Sequence, residues 1–106
     1  MAAIRLGVIG AGRKGRQHMG FMGMFEEVQL VALCDPVEEA RAAAGAQFGI
    51  SDRFADVDEM LECTQLDAAL VATPPDLNAP AARACLERGI QQTLFQRKLQ
   101  LPGMRQ

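Results

Sequence analysis

The chain has 106 residues and a mass of 11.5 kDa, which allows one domain with a modest core and leaves no room for a second, catalytic domain. Hydrophobic residues make up 49% and charged residues 23%, a globular composition that excludes disordered and collagen-like classes. Eleven basic and thirteen acidic side chains give a net charge of −2, so we expect no binding to nucleic acid.

Predicted strands and helices alternate along the first half of the chain. The apolar run 4–9 predicts a buried strand, and residues 13–25 predict a helix that Gly20 and Gly23 weaken toward its end. The run 28–34 predicts a second buried strand.

The same alternation continues to the end of the apolar pattern. Asp35 and Pro36 are expected to cap and open a helix over 37–48, which Gly49 ends. Further along, Asp76 is expected to cap a helix that runs to about Arg88. The remaining elements are a strand over 50–54, an acidic helix over 56–63, and strands over 67–73 and 90–95.

Strands that are apolar on both faces and alternate with helices predict an α/β fold with a parallel sheet covered on both sides. We expect a doubly wound, Rossmann-like sheet of five strands in the order 3-2-1-4-5, with a dinucleotide-binding domain over 1–95. The stretch from Arg88 onward has no acidic residue and four basic ones, and 96–106 show no periodicity. We therefore expect an irregular tail and a sheet that is incomplete at the C-terminus through truncation, a changed reading frame or an alternative end.

The three cysteines are widely spaced and form no metal-binding pattern. Cys34, Cys63 and Cys85 are expected to be buried, reduced thiols of a cytoplasmic protein. No stretch reaches the ~20 apolar residues of a membrane helix, and glycines interrupt the N-terminal apolar run, which disfavours a secretory signal.

The motif Gly10-Ala11-Gly12-Arg13-Lys14-Gly15 follows a predicted strand and opens a predicted helix. Gly10 permits a tight turn, Gly12 lets a diphosphate approach the backbone, and Gly15 allows close packing of helix and strand. The unpaired N–H groups at the start of that helix would bind the anion, with Arg13 and Lys14 as neighbours of the phosphates. The alternative is a purely structural glycine turn.

Asp35 lies twenty residues after Gly15, at the end of the second predicted strand. A carboxylate there accepts hydrogen bonds from an adenosine ribose and repels a 2′-phosphate, which favours NAD over NADP. The alternative is that Asp35 only caps the following helix.

Two other groups of residues are interpreted as structural. His18 has no nucleophile or acid beside it in sequence, so packing is favoured over catalysis. A second group, expected to fill the core rather than form a binding surface, consists of Met19, Phe21, Met22, Met24 and Phe25.

Three separated motifs resemble the N-terminal domain of the Gfo/Idh/MocA oxidoreductases. They are Gly-Val-Ile-Gly-Ala-Gly-Arg-Lys-Gly-Arg-Gln-His ending at His18, Val-Ala-Leu-Cys-Asp-Pro over 31–36, and Ala-Leu-Val-Ala-Thr-Pro-Pro-Asp-Leu-Asn over 69–78. The resemblance covers 3 to about 95. It implies that Gly10, Gly12, Gly15 and Asp35 bind the dinucleotide, and that Thr73 and Pro74 line its ribose and nicotinamide side.

The sequence also departs from the family pattern. The family usually has His where Asn78 stands, and a Glu-Lys-Pro sequence after the fifth strand, which here has only Lys98 nearby as a candidate substitute. No segment corresponds to the family's substrate-binding domain.

Three functions remain open from sequence. In the first, the chain is the NAD-binding part of an enzyme that transfers hydride between NAD and a polyol or sugar-like alcohol, and alone it is expected to be inactive. In the second, it is a non-enzymatic nucleotide-binding or interaction module that forms homo-oligomers through an exposed sheet edge. In the third, it is an unstable product without a function.

Overall fold

The structure, a computed structural model, describes residues 3–94. Five strands form one parallel sheet: β1 (Ile4–Ile9), β2 (Val28–Cys34), β3 (Asp52–Phe54), β4 (Ala68–Val71) and β5 (Gln91–Leu94). Their order, β3-β2-β1-β4-β5, confirms the doubly wound topology expected from the sequence. The crossovers carry α1 (Arg13–Met22), α2 (Glu38–Phe48), α3 (Val57–Cys63) and α4 (Pro75–Glu87).

The sheet has a hydrophobic core on each face because successive side chains of a strand point to opposite faces. In β1, Leu6 and Val8 pack on the side of α1 and α2, whereas Ile9 packs on the side of α3 and α4. All three side chains are buried. The chain order reverses between β1 and β4, so the carboxyl ends of β1, β2 and β4 border a crevice, where a doubly wound sheet binds ligands.

Three helix starts or ends differ from the sequence-based prediction. α1 ends at Met22 with Gly23 as its C-cap, three residues before Phe25. α2 begins at Glu38 with Val37 as its N-cap, so neither Asp35 nor Pro36 is part of its first turn. α4 has Pro74 as its N-cap, and Asp76 lies in its first turn, where a negative charge interacts favourably with the helix dipole.

Some residues expected in the core lie on the surface. Met19 and Met22 are buried, but Phe21 is exposed and Met24 is 77% exposed. Phe21 and Phe25 contact each other edge to face, with 5.3 Å between ring centroids. The early end of α1 explains the error at Met24, which no longer follows the helical face that Met22 presents to the sheet, whereas Phe21 lies within α1 on its exposed side.

The cysteine prediction is wrong for one residue. Cys34 and Cys85 are buried, whereas Cys63, the last residue of α3, is exposed; all three thiols are free. Within residues 3–94, no helix is long and apolar enough to cross a bilayer.

Candidate functional site

A cleft of about 910 Å³ opens at the carboxyl ends of β1, β2 and β4. This volume lies toward the upper end of the range for small-molecule sites. The structure brings all the residues predicted to bind the dinucleotide into the lining of this cleft: Gly10, Gly12, Arg13, Lys14, Gly15, Asp35, Thr73 and Pro74.

The three glycines of the turn meet different surroundings. Gly10 has a φ of +102°, and a Cβ there would lie 2.7 Å from the Ala72 carbonyl oxygen. A Cβ at Gly15 would overlap the carbonyl oxygen of Gly10. A Cβ at Gly12 would meet no atom within 4 Å, so it would project into open space. Gly10 and Gly15 are thus required by the fold, whereas the absence of a side chain at Gly12 leaves the cleft floor accessible.

The start of α1 faces this open space with unpaired N–H groups. The first N–H to bond within the helix is that of Arg16, which donates to the Gly12 carbonyl at 2.9 Å. The N–H groups of Arg13, Lys14 and Gly15 therefore have no intrahelical acceptor. Gly12 is the N-cap, no side chain caps the helix, and its first turn has no acidic residue. Such an uncapped end attracts an anion.

Asp35 links the glycine turn to the end of β2. Its Oδ2 accepts a hydrogen bond from the Ala11 N–H at 2.8 Å, and its Oδ1 accepts one from the Val37 N–H, also at 2.8 Å. Ala11 is completely buried, so the first bond satisfies a donor that water cannot reach. A carboxylate has about four acceptor positions, which leaves lone pairs on both oxygens for a ligand.

On the other side of β1, Thr73 and Asn78 form a hydrogen-bonded pair in the cleft lining. The Thr73 hydroxyl donates to Asn78 Oδ1 at 2.6 Å. Asn78, in the second turn of α4, is buried at 6% exposure, while Thr73 is half-buried. The sequence offered only a weak signal for Asn78, its departure from the usual His.

The turn after β3 also contributes to the cleft, which the sequence analysis missed. Asp56, the N-cap of α3, accepts a hydrogen bond from the Glu59 N–H at 3.2 Å and lines the cleft beside Asp58. The signal was an acidic residue directly before a short helix. It was interpreted only as part of an acidic helix, although the predicted order already placed the third strand next to the second.

Cys34 lines the cleft, but its thiol is a poor nucleophile. Burial, with the nearby negative charges of Asp35 and Asp56, raises the pKa of Cys34 to about 12. The thiol therefore stays protonated at neutral pH, and the reactive thiolate is not available.

His18 lies on α1, partly buried and outside the cleft lining. Partial burial and the positive charge of Lys14 lower the pKa of His18, so the imidazole is neutral near pH 7. Among residues 3–94, no group of three or more metal-ligating side chains comes together. Lys98 and the tail over 96–106 lie outside the described residues.

Comparison with known proteins gives a family match over nearly the whole chain. The Gfo/Idh/MocA model, described as an oxidoreductase family with an NAD-binding Rossmann fold, matches residues 4–98. Among curated proteins, D-apiose dehydrogenase of Paraburkholderia graminis is 36% identical over 84 residues, which cover 79% of this chain and 21% of that protein. Inositol 2-dehydrogenase 4 of Saccharopolyspora erythraea is 34% identical, with 82% of this chain and 26% of that protein covered.

A solved structure of a dehydrogenase has the same fold. The WlbA dehydrogenase from Bordetella pertussis, crystallised with NADH and UDP-GlcNAcA, superimposes with a TM-score of 0.81 at 31% identity, covering 87% of this chain and 29% of that one. The chain thus spans between 21% and 29% of the length of these relatives.

Proposed function

Because this chain belongs to the Gfo/Idh/MocA oxidoreductase family with its NAD-binding Rossmann fold, we propose that the cleft between Asp35 and Thr73 is where it binds NAD. The observation that carries the proposal is the open position at Gly12, beside the unpaired N–H groups of α1 and in the same cleft as Asp35. A Cβ-free floor, an uncapped helix start and a carboxylate fit a diphosphate and a ribose.

The glycine turn would hold the diphosphate of the dinucleotide. The main-chain N–H groups of Arg13 and Lys14 supply hydrogen bonds that are already oriented, and the helix dipole adds partial positive charge. The exposed side chains of these two residues line the cleft and add full positive charge near the phosphates.

Asp35 would bind the adenosine ribose and select NAD over NADP. Its remaining lone pairs can accept hydrogen bonds from the 2′- and 3′-hydroxyls, whereas a 2′-phosphate would bring like charges together. Asp56 and Asp58 line the same end of the cleft and strengthen this repulsion. The bonds from Ala11 and Val37 hold the carboxylate in one orientation.

The β4 side of the cleft would take the nicotinamide half, with Thr73 and Pro74 beside its ribose. When bound, NAD supplies the hydride acceptor. We propose that the substrate is a polyol or sugar-like alcohol, a class supported by the names of the inositol and apiose dehydrogenases that the chain matches.

For the 106-residue chain alone we propose binding without turnover. On the β4 side of the cleft, the described residues that line it have no side chain that ordinarily serves as a general base near neutral pH. Turnover of a polyol by the purified chain would contradict this proposal.

Titration calorimetry with NAD and NADP tests the site. We expect wild-type chain to prefer NAD, and Asp35→Ala to weaken NAD binding by roughly 10- to 100-fold, since hydrogen bonds to a charged group contribute about 1.5–3 kcal/mol. The preference over NADP should shrink as well, because the repelling charge is gone.

Asp67→Ala is a matched control. The Asp67 carboxylate accepts a hydrogen bond from the backbone N–H of Arg5, also at 2.8 Å, but it lies at the opposite end of the sheet. The Asp67→Ala substitution should therefore leave the binding of both NAD and NADP unchanged. If Asp35→Ala behaves like Asp67→Ala, the ribose assignment is wrong.

The edge of the sheet supports a second proposal, self-association. Among the described residues β5 pairs only with β4, and an edge strand is a template for pairing with another chain. Sedimentation over a range of concentrations should show a dimer, and a single monomeric species throughout would refute self-association.

We further propose a cytoplasmic location, supported by three free thiols.

A further inference from the structure

The hydrogen bond between Thr73 and Asn78 occupies a position that usually has apolar residues. Pro74 is the N-cap of α4 and Pro75 its first residue, so Thr73 is at N′ and Asn78 at N4. Residues at N′ and N4 commonly form a hydrophobic staple, which fixes the angle at which the chain enters the helix. Here a hydroxyl and an amide make that contact at 2.6 Å.

A polar pair at N′ and N4 stabilises the chain less than two apolar side chains would. Asn78 is the one buried polar or charged residue among those whose side chains the structure describes, residues 3–90. Burying an amide carries a desolvation cost that the hydrogen bond to Thr73 offsets only in part. Two apolar side chains would avoid that cost and make the same staple.

Both members of the pair line the cleft, which suggests a use for their polar atoms. With its proton donated to Asn78, the Thr73 hydroxyl presents only lone pairs and can act toward a ligand only as an acceptor. With one lone pair of its oxygen occupied by Thr73, Asn78 keeps one acceptor position and the two N–H donors of its amide. The pair therefore offers a Thr73 hydroxyl fixed as an acceptor beside the amide donors of Asn78, which complement the hydroxyls and oxygens of a ribose.

We propose that Asn78 is a positioning residue for the ribose on the nicotinamide side: it turns the Thr73 hydroxyl into an acceptor for a ribose hydroxyl. This inference rests on the proposed function of the cleft. Neither the family match nor the names of the relatives assign any role to Asn78. Asn78 acts through Thr73, so losing either member removes the same interaction.

Binding of NAD, ADP-ribose and ADP to Thr73→Val, Asn78→Leu and the double variant tests the inference. ADP lacks the second ribose, whereas ADP-ribose has it but lacks nicotinamide. We expect every variant to bind NAD and ADP-ribose about three- to tenfold more weakly, the effect of one hydrogen bond, and to bind ADP as wild type does. The double variant should lose no more than the larger single loss, because the two residues act as a unit.

Thermal unfolding separates this role from a structural one. The double variant restores an apolar staple, so its midpoint should equal or exceed that of wild type even though it binds ADP-ribose more weakly. An Asn78→His variant adds a pH readout, since neutral imidazole accepts a hydrogen bond and imidazolium does not. At pH values below about 6.5, the affinity of this variant for ADP-ribose should decrease, while the affinity of the wild-type chain should show no such pH-dependent decrease.

Two results would overturn the inference: ADP-ribose binding by the double variant at wild-type affinity, or an equal loss of ADP and ADP-ribose. The proposed function fails differently, because wild-type chain would then bind neither ADP nor NAD.

Discussion

Replacing Gly12 with valine should remove dinucleotide binding while leaving the fold intact. A Cβ at Gly12 meets no atom within 4 Å, and the residue has φ −76° and ψ −160°, an extended conformation that valine adopts readily. The free energy of unfolding should therefore change by no more than about 0.5 kcal/mol, as for an ordinary surface substitution.

The effect on binding should be much larger, because the new side chain occupies the space that the diphosphate needs. Displacing the phosphates breaks the hydrogen bonds from the N–H groups of Arg13 and Lys14. At about 1.5–3 kcal/mol for each bond to a charged group, the loss is about 3–6 kcal/mol, or roughly 10²- to 10⁴-fold in the dissociation constant for NAD.

Two other glycine variants serve as controls. For all three variants, calorimetry measures NAD binding and urea unfolding measures stability. Gly20→Ala lies within α1, where the added Cβ comes no closer than 4.0 Å to Phe48, so it should stabilise the chain by about 0.5–1 kcal/mol without affecting binding. Gly15→Ala should unfold the turn, since its Cβ overlaps the Gly10 carbonyl. If Gly12→Val binds NAD at wild-type affinity, the diphosphate does not occupy the space beside Gly12.

Three further predictions concern stability and thiol chemistry. Because burial raises the pKa of Cys34 from 9.0 to about 12, the unfolded chain loses that proton first, and Cys34 should lower the stability by up to ~1.4 kcal/mol per pH unit between these values. In urea titrations Cys34→Ala should therefore reduce the fall in stability at alkaline pH, leaving the part that comes from Cys85, whose pKa burial also raises. In the native chain a thiol reagent should label Cys63 rapidly and leave Cys34 and Cys85 unmodified until unfolding; three fast thiols would contradict the described burial. Asp56→Ala removes the N-cap of α3 and should lower the free energy of unfolding by about 0.5–2 kcal/mol, and an unchanged urea midpoint would show that the cap contributes nothing.

Much of the fold could be predicted because the sequence signals were local. The strands over 4–9 and 28–34 match β1 and β2 residue for residue, since both are predominantly apolar, interrupted only by Arg5 and Gln29, and have clear ends. The third strand was predicted from Ile50 but begins at Asp52, although Ile50 is buried. A residue such as Ile50 can be buried in the core without pairing in the sheet. The pattern of apolar residues in a sequence indicates burial and not strand pairing.

The site was predicted in outline, because the residues of a glycine turn and a strand end are read directly from the chain. What sequence could not give was the contacts between segments. The bond from Ala11 to Asp35 spans 24 positions, and it gives Asp35 a role in holding the turn that neither ribose binding nor helix capping anticipated. Likewise, the pairing of Thr73 with Asn78 depends on where α4 begins, which the expected cap at Asp76 placed two residues too late.

An NMR titration of the ¹⁵N-labelled chain with NAD tests directly whether the diphosphate lies at the start of α1. We predict that the amide resonances of Gly12, Arg13 and Lys14 shift most strongly, while those of Gln65 and Asp67, at the opposite end of the sheet, do not move. If the glycine-turn amides stay unchanged at saturating NAD, or if the largest shifts occur around Asp67, the diphosphate is not held at the start of α1.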